Sequence, residues 1–269
     1  MAEAPESSVS TESEPMLLAR GLVRTFEERR AVDGLDLEAF GGEILGLVGP
    51  NGAGKTTTLR CLSGVLPPTS GELRVAGYDL ARAELEAKRR LAYVQDEPAP
   101  FEVLTVDEHL EFTARLYGLD GDWPARADAL LERFELKERR DALGSELSRG
   151  MRQKLSFCCA WLPEPAVILL DEPLSGLDPR GIRAARAAIL EERERGAAVV
   201  LSSHLLELVQ SLADRILILD GGRRVFVGTL EEARAAVAAG EGDTLEDVFF
   251  AATGEASAED DAASGDRDA

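Results

Sequence analysis

The run Gly49-Pro50-Asn51-Gly52-Ala53-Gly54-Lys55-Thr56 matches the phosphate-binding spacing G-x-x-x-x-G-K-[ST] at every fixed position. The chemistry explains the residue types. Glycines let backbone amides turn inward and approach phosphate oxygens with no Cβ in the way. A helix that starts where the loop ends adds a dipole favourable to an anion. Lys55 is placed to neutralise the outer phosphates of a nucleotide, and Thr56 to offer its hydroxyl to Mg²⁺. A second run, Val167-Ile168-Leu169-Leu170-Asp171-Glu172, sets two carboxylates directly after four apolar residues. Alone, such a pair is an ordinary solvated loop. Beside a phosphate-binding loop, Asp171 becomes a candidate Mg²⁺ ligand, and Glu172 a candidate for orienting or deprotonating an attacking water. The expected chemistry is nucleotide hydrolysis.

These groups need a sheet beneath them, and the pattern between the tails is that of an α/β protein. Residues 17–26 and 35–40 read as strands separated by a polar turn, and 43–48 as a short apolar strand running into the glycine-rich loop. A helix over 56–62 follows, then short strands over 72–75 and 91–94. From Thr105 to about Phe134 the period becomes helical, opened by Thr105 and Glu108 at capping-box spacing. A further helix is read over 151–162. Residues 166–170 and 197–202 are apolar without alternation, as in strands buried on both faces of a parallel sheet. Gly221-Gly222 separates strands over 215–220 and 223–227 as a hairpin turn.

The composition sets outer limits. The 269 residues carry 50 Asp and Glu against 30 Lys and Arg, a formal net charge of −20. That balance opposes a nonspecific nucleic-acid binder, which needs a positive surface to displace counterions, and so no nucleic-acid partner is expected. Four Glu fall in 1–15, and six acids with one Arg in 254–269. Both segments read as disordered acidic tails, with too little apolar content to offset chain entropy. The apolar runs are far shorter than the roughly 18 residues that span a bilayer. Three cysteines, Cys61, Cys158 and Cys159, form no disulfide framework and suggest a reducing compartment. Only His109 and His204 are present, so a His-rich zinc site is not expected.

What lies between and after the two catalytic runs narrows the reading. Glu146-Leu147-Ser148-Arg149-Gly150-Met151-Arg152-Gln153 resembles the signature of ATP-binding cassette (ABC) proteins. Ser175-Gly176-Leu177-Asp178 resembles their D-loop, and Ser202-Ser203-His204 their switch segment. The resemblance runs from about residue 17 to 253 and implies a P-loop ABC ATPase fold: a RecA-like α/β core with an antiparallel β subdomain and a helical subdomain. The corresponding boundaries are 16–253 for the ATPase domain, with the helical part inserted at about 97–160. It implies ATP and Mg²⁺ as ligands. ATP would lie on the loop residues Gly49, Pro50, Asn51, Gly52, Ala53, Gly54, Lys55, Thr56 and Thr57, with Thr56 and Asp171 holding the metal. Lys55, Glu172 and His204 would be the catalytic groups. Ser148 and Gly150 would cover the ATP held by a second cassette, and Asp178 would lie at the interface between cassettes. Phe26 matches the aromatic that stacks on adenine, and a strand-core aromatic reads equally well there.

The signature form and the ending, Leu245-Glu246-Asp247-Val248-Phe249 included, look like exporter-type single cassettes serving drug, antibiotic, polysaccharide or sodium efflux. That implies a subunit that pairs with a second ABC ATPase subunit, as a homodimer or else a heterodimer, and drives a separate transmembrane permease from the cytoplasmic side of the membrane. The alternative is a non-transport ABC ATPase acting on a soluble assembly or regulatory complex. The chain departs from the family pattern at two places. Arg149 and Met151 stand where the generic signature has Gly and Gln. At the Gln-loop, either anchoring motif puts Asp96 at the glutamine position, where its carboxylate could ligate Mg²⁺ or a water. Gln95 takes that place only with a one-residue shift.

Overall fold

The computed structural model describes residues 14–236. Most of both acidic tails, and the helical spacing of Leu245, Val248 and Phe249, lie outside the described residues. Among the described residues, ten strands form two sheets. The first is antiparallel, in the order β2-β1-β4-β5, from β1 (Leu17–Phe26), β2 (Arg29–Ala39), β4 (Ser70–Val75) and β5 (Tyr78–Asp79). The second has the order β10-β9-β3-β8-β7-β6, from β3 (Ile44–Val48), β6 (Leu91–Val94), β7 (Val167–Asp171), β8 (Ala198–Ser202), β9 (Arg215–Asp220) and β10 (Arg223–Gly228). It is parallel from β9 to β6, and the β9–β10 hairpin at its edge is antiparallel. Gly221 and Gly222 make that hairpin turn with φ of 52° and 80°, both in the left-handed region that glycine tolerates.

The α-helices among the described residues are α1 (Lys55–Leu62), α2 (Glu84–Lys88), α3 (Val106–Tyr117), α4 (Trp123–Arg133), α5 (Arg149–Trp161), α6 (Pro179–Glu194), α7 (Leu206–Leu212) and α8 (Leu230–Ala236). The helical reading of 105–134 needs correction. Gly118 ends α3 in a left-handed C-cap at φ 66°, and α4 starts afresh at Trp123-Pro124. The second strand is also longer than read, since the chain turns at Glu27, at φ 50°, and pairs again from Arg29. The sequence reading assigns no element to 179–194, where α6 runs. The capping box at α3 is present, with the Thr105 side chain on the Glu108 amide and the Glu108 carboxylate on the Thr105 amide.

The lack of polar alternation in the central strands has a plain cause: both faces of the parallel sheet are covered. In β7, Val167 and Leu169 join the core shared with the antiparallel sheet and α1, while Ile168 and Leu170 join the core under α3 to α6. In β8, Ala198 and Val200 face the first core, Val199 and Leu201 the second. All eight are fully buried, and each Val, Ile or Leu contributes about 1.5–3 kcal/mol relative to exposure. The strand ends are thereby fixed as a rigid floor. Cys158 is in the second core and Cys61 in the first; burial pushes their thiols up, Cys61 to about 11, which suits packing rather than reactivity.

Candidate active site

Three neighbouring strands deliver the acidic and hydroxyl groups at one level. Ser202, the last residue of β8, is in register with Leu47 of β3 on one side and Asp171 of β7 on the other. The loop that leaves β3 therefore lies over the carboxylates that end β7, at the carboxyl edge where open α/β sheets bind ligands. Glycine is required at two points of that loop. A Cβ on Gly49 would come 2.3 Å from the Leu219 carbonyl oxygen, and Gly54 combines φ of 106° with a Cβ position 2.4 Å from the Ala31 carbonyl oxygen. The Lys55 ammonium spans the loop and donates to the carbonyls of Gly49 (2.6 Å) and Pro50 (3.2 Å). Burial lowers its pKa, and the nearby Glu172 and Asp171 charges oppose that shift.

Asp171 is 2% exposed and its carboxylate is ringed by hydroxyls. Its Oδ1 accepts from Thr56 Oγ1 (3.1 Å) and Ser202 Oγ (2.8 Å), and its Oδ2 accepts from the Tyr93 phenol (3.3 Å). Burial, and then the Asp171 charge, raises the Tyr93 pKa, so the phenol stays a donor. Glu172 breaks from the strand with φ of 46°, a conformation worth about 1–3 kcal/mol of strain. Its amide is held by the Ser202 carbonyl at 3.1 Å. Its Oε2 accepts from Ser203 Oγ (3.3 Å) and lies 2.7 Å from His204 Nδ1. A carboxylate only accepts, so this contact places the proton on Nδ1 and leaves Nε2 facing outward.

A cleft of about 610 Å³ opens over these groups. Of the residues picked out by the sequence, Phe26, Asn51, Gly52, Ala53, Gly54, Lys55, Thr56, Thr57, Asp96, Glu172 and His204 line it. Gly49 and Pro50 sit behind the wall as acceptors for Lys55, and Asp171 lies beneath the floor. Phe26 is 44% exposed at the end of β1, which rules out the strand-core reading of that ring. Asp96 faces the cleft and the exposed Gln95 does not, which favours the unshifted alignment.

Ser148 and Gly150 do not line the cleft. Ser148 caps α5 by accepting from the Met151 amide (3.3 Å), and Gly150 packs against the Gly176 carbonyl, where a Cβ would come within 2.9 Å. Asp178 is exposed and caps α6 through the Gly181 amide (2.6 Å), the contact that chiefly lowers its pKa. Sequence reasoning missed Arg29 and Ala31 in the cleft wall, because they reach it across the first sheet, and the role of Tyr93. A tyrosine in an otherwise buried strand was the available signal, since its hydroxyl needs a partner.

Comparisons with known proteins agree on one family. Residues 32–175 match the ABC transporter family model. The daunorubicin resistance ATP-binding protein DrrA3 of Streptomyces coeruleorubidus is 38% identical over 216 residues, 80% of this chain and 68% of that protein. The linearmycin resistance ATP-binding protein LnrL of Bacillus subtilis strain 168 is 34% identical over 215 residues, 80% of this chain and 69% of that protein. A solved ATP-binding subunit of an ABC transporter superposes with a TM-score of 0.85 at 32% identity, covering 88% of this chain and 99% of its own. This chain belongs to the ABC transporter family as an ATP-binding subunit, an ATPase with the ABC cassette fold.

Proposed function

We propose that this ATPase powers export of drug-like molecules through a separate membrane permease, working as a dimer that closes on ATP. The observation that carries the catalytic part is the Glu172–His204 pair set in one cleft with Lys55, Thr56 and Asp171. In this reading the loop amides and Lys55 receive the phosphates. Glu172, held by Ser203 and His204, accepts a proton from the water that attacks the γ-phosphorus as the bond to the bridging oxygen breaks. His204 would hydrogen-bond the γ-phosphate through Nε2 when both of its ring nitrogens carry protons. Phe26 offers an exposed ring to the base.

The protein donors fit Mg²⁺. Among the described residues no cluster of three or more His, Cys, Asp and Glu could hold a metal. Thr56 Oγ1 and Asp171 Oδ1 meet at 3.1 Å beneath the cleft. That sparse set of hard oxygens suits an ion that keeps its waters and binds substrate phosphates. When bound, Mg²⁺ would neutralise phosphate charge.

Dimerisation is supported by Ser148 and Gly150, which do not line their own cleft and in this reading cover the ATP held by a second cassette. A separate permease is supported by the match to the ABC transporter family; among the described residues no helix is long and apolar enough to cross a membrane. The export reading rests on relatives named for daunorubicin and linearmycin resistance. The test is to trap the protein as Glu172→Gln with ATP and Mg²⁺. It should elute as a dimer and retain a co-expressed polytopic membrane protein. A monomer that binds only soluble partners would overturn the transport reading.

A further inference from the structure

Two of the departures from the family pattern, Asp96 and Arg149, are 53 residues apart in the chain and meet in space. Arg149 Nη2 lies 3.5 Å from Asp96 Oδ1 and donates to Ser175 Oγ at 3.0 Å. Both of those partners line the nucleotide cleft, while Arg149 stands behind them. Its stem is fixed as well. A Cβ built on Gly176 would touch Arg149 Nε, Cδ and Cγ at 3.1, 3.2 and 3.4 Å, so the side chain lies along the D-loop backbone. The guanidinium thus joins three segments of one chain: the loop after β6, the loop after β7, and the first residue of α5.

Asp96 replaces a neutral side chain with a carboxylate in the wall of a site for a polyanion. Unopposed, that charge repels phosphate. We propose that Arg149 is a positioning residue that acts through Asp96. It serves as the intrachain counter-ion that makes an acidic residue tolerable at this place in the cleft, and it holds that carboxylate against the D-loop. The inference rests on the reading of this cleft as the ATP site. Both side chains are about half exposed, at 55% and 45%, so the coupling is that of a solvated pair, about two- to fivefold in affinity.

The test is a double-mutant cycle of the full chain with Asp96→Gln, Arg149→Gln and the two combined. The readout is the dissociation constant of a fluorescent ATP analogue, measured with Mg²⁺ and again in EDTA. Arg149→Gln should weaken binding about two- to fivefold at low salt in the parent background, and leave it unchanged in the Asp96→Gln background. Arg149→Lys, which keeps the charge, should restore most of the loss, and it gives a second reading if Arg149→Gln melts early. The loss should shrink as salt is raised. The same loss in both backgrounds would assign Arg149 to phosphate directly and overturn the proposal. So would the absence of any loss. Lys55→Ala separates the two levels. Lost binding there with additive effects at Asp96 and Arg149 overturns the pair alone, whereas unchanged binding removes the ATP site and the proposal together.

Discussion

Two helices begin beside the catalytic machinery, and their first turns are built in opposite ways. At α1 the N-cap is Gly54 in a left-handed conformation, with no side chain capping the helix and no acid in the first turn. At α5 the N-cap is Ser148, whose hydroxyl already accepts from the Met151 amide, and Arg149 beside it is engaged by Asp96 and Ser175. Every helix start leaves amides without intrahelical partners. Those of α1 are left for a ligand, with a half-buried ammonium parked on two loop carbonyls beside them. Those of α5 are partly satisfied from within the chain. The first terminus is built to be completed by an anion, and the second must exchange contacts it already has before it can serve anything else.

The largest effect is expected where binding and chemistry are separated beside α1. Glu172→Gln keeps the loop and Lys55, and removes the proton acceptor. Turnover should fall about 10²- to 10⁴-fold with ATP affinity nearly unchanged, measured by phosphate release and equilibrium binding. A variant that hydrolyses normally would take Glu172 out of the mechanism. Next in size is Lys55→Ala. Loss of a charge-assisted hydrogen bond costs about 1.5–3 kcal/mol, so the dissociation constant for ATP should rise roughly 10- to 100-fold. Ser148→Ala sharpens the contrast from the other side. Losing the cap should cost about 1 kcal/mol of stability, seen as a melting temperature lower by roughly 2–4 °C. ATP affinity of the monomer should hold, because Ser148 does not line its own cleft. A large loss of monomer affinity would show that the two helix starts are not independent.

The same contrast explains what could be read from the sequence. The α1 terminus is built from consecutive residues whose backbone does the work, so spacing alone exposed Gly49 to Thr56. Asp171 and Glu172 were legible because a strand buried on both faces must be apolar up to the point where it ends. The neighbourhood of α5 is made by side chains from distant segments. Nothing local announces that Arg149 reaches Asp96, that Tyr93 reaches Asp171, or that Arg29 and Ala31 close the cleft from another sheet. The break between α3 and α4 was not read, although Gly118 and Gly121 interrupt the helical period. The exposure of Phe26 was not, since it depends on where the chain turns at Glu27.

The smallest predicted effect isolates the parked lysine itself. Burial depresses the Lys55 pKa below the ordinary lysine value of 10.5. Between the lowered folded value and 10.5, the unfolded chain binds more protons than the folded one at this position. Stability contributed by this group therefore rises as pH rises through that window, and its cost is fully present at neutral pH. Melting temperatures of the nucleotide-free protein, scanned over the alkaline range below 10.5, should show this rise against a Lys55→Met reference that lacks it. Adding ATP should flatten the difference, because phosphate favours the charged ammonium and lifts its pKa back. The affinity for ATP should correspondingly fall as pH climbs through the same window. A difference curve that stays level without nucleotide would mean that the carboxylates of Asp171 and Glu172 already offset the burial. The α1 terminus would then be electrostatically satisfied before any ligand arrives, as the α5 terminus is.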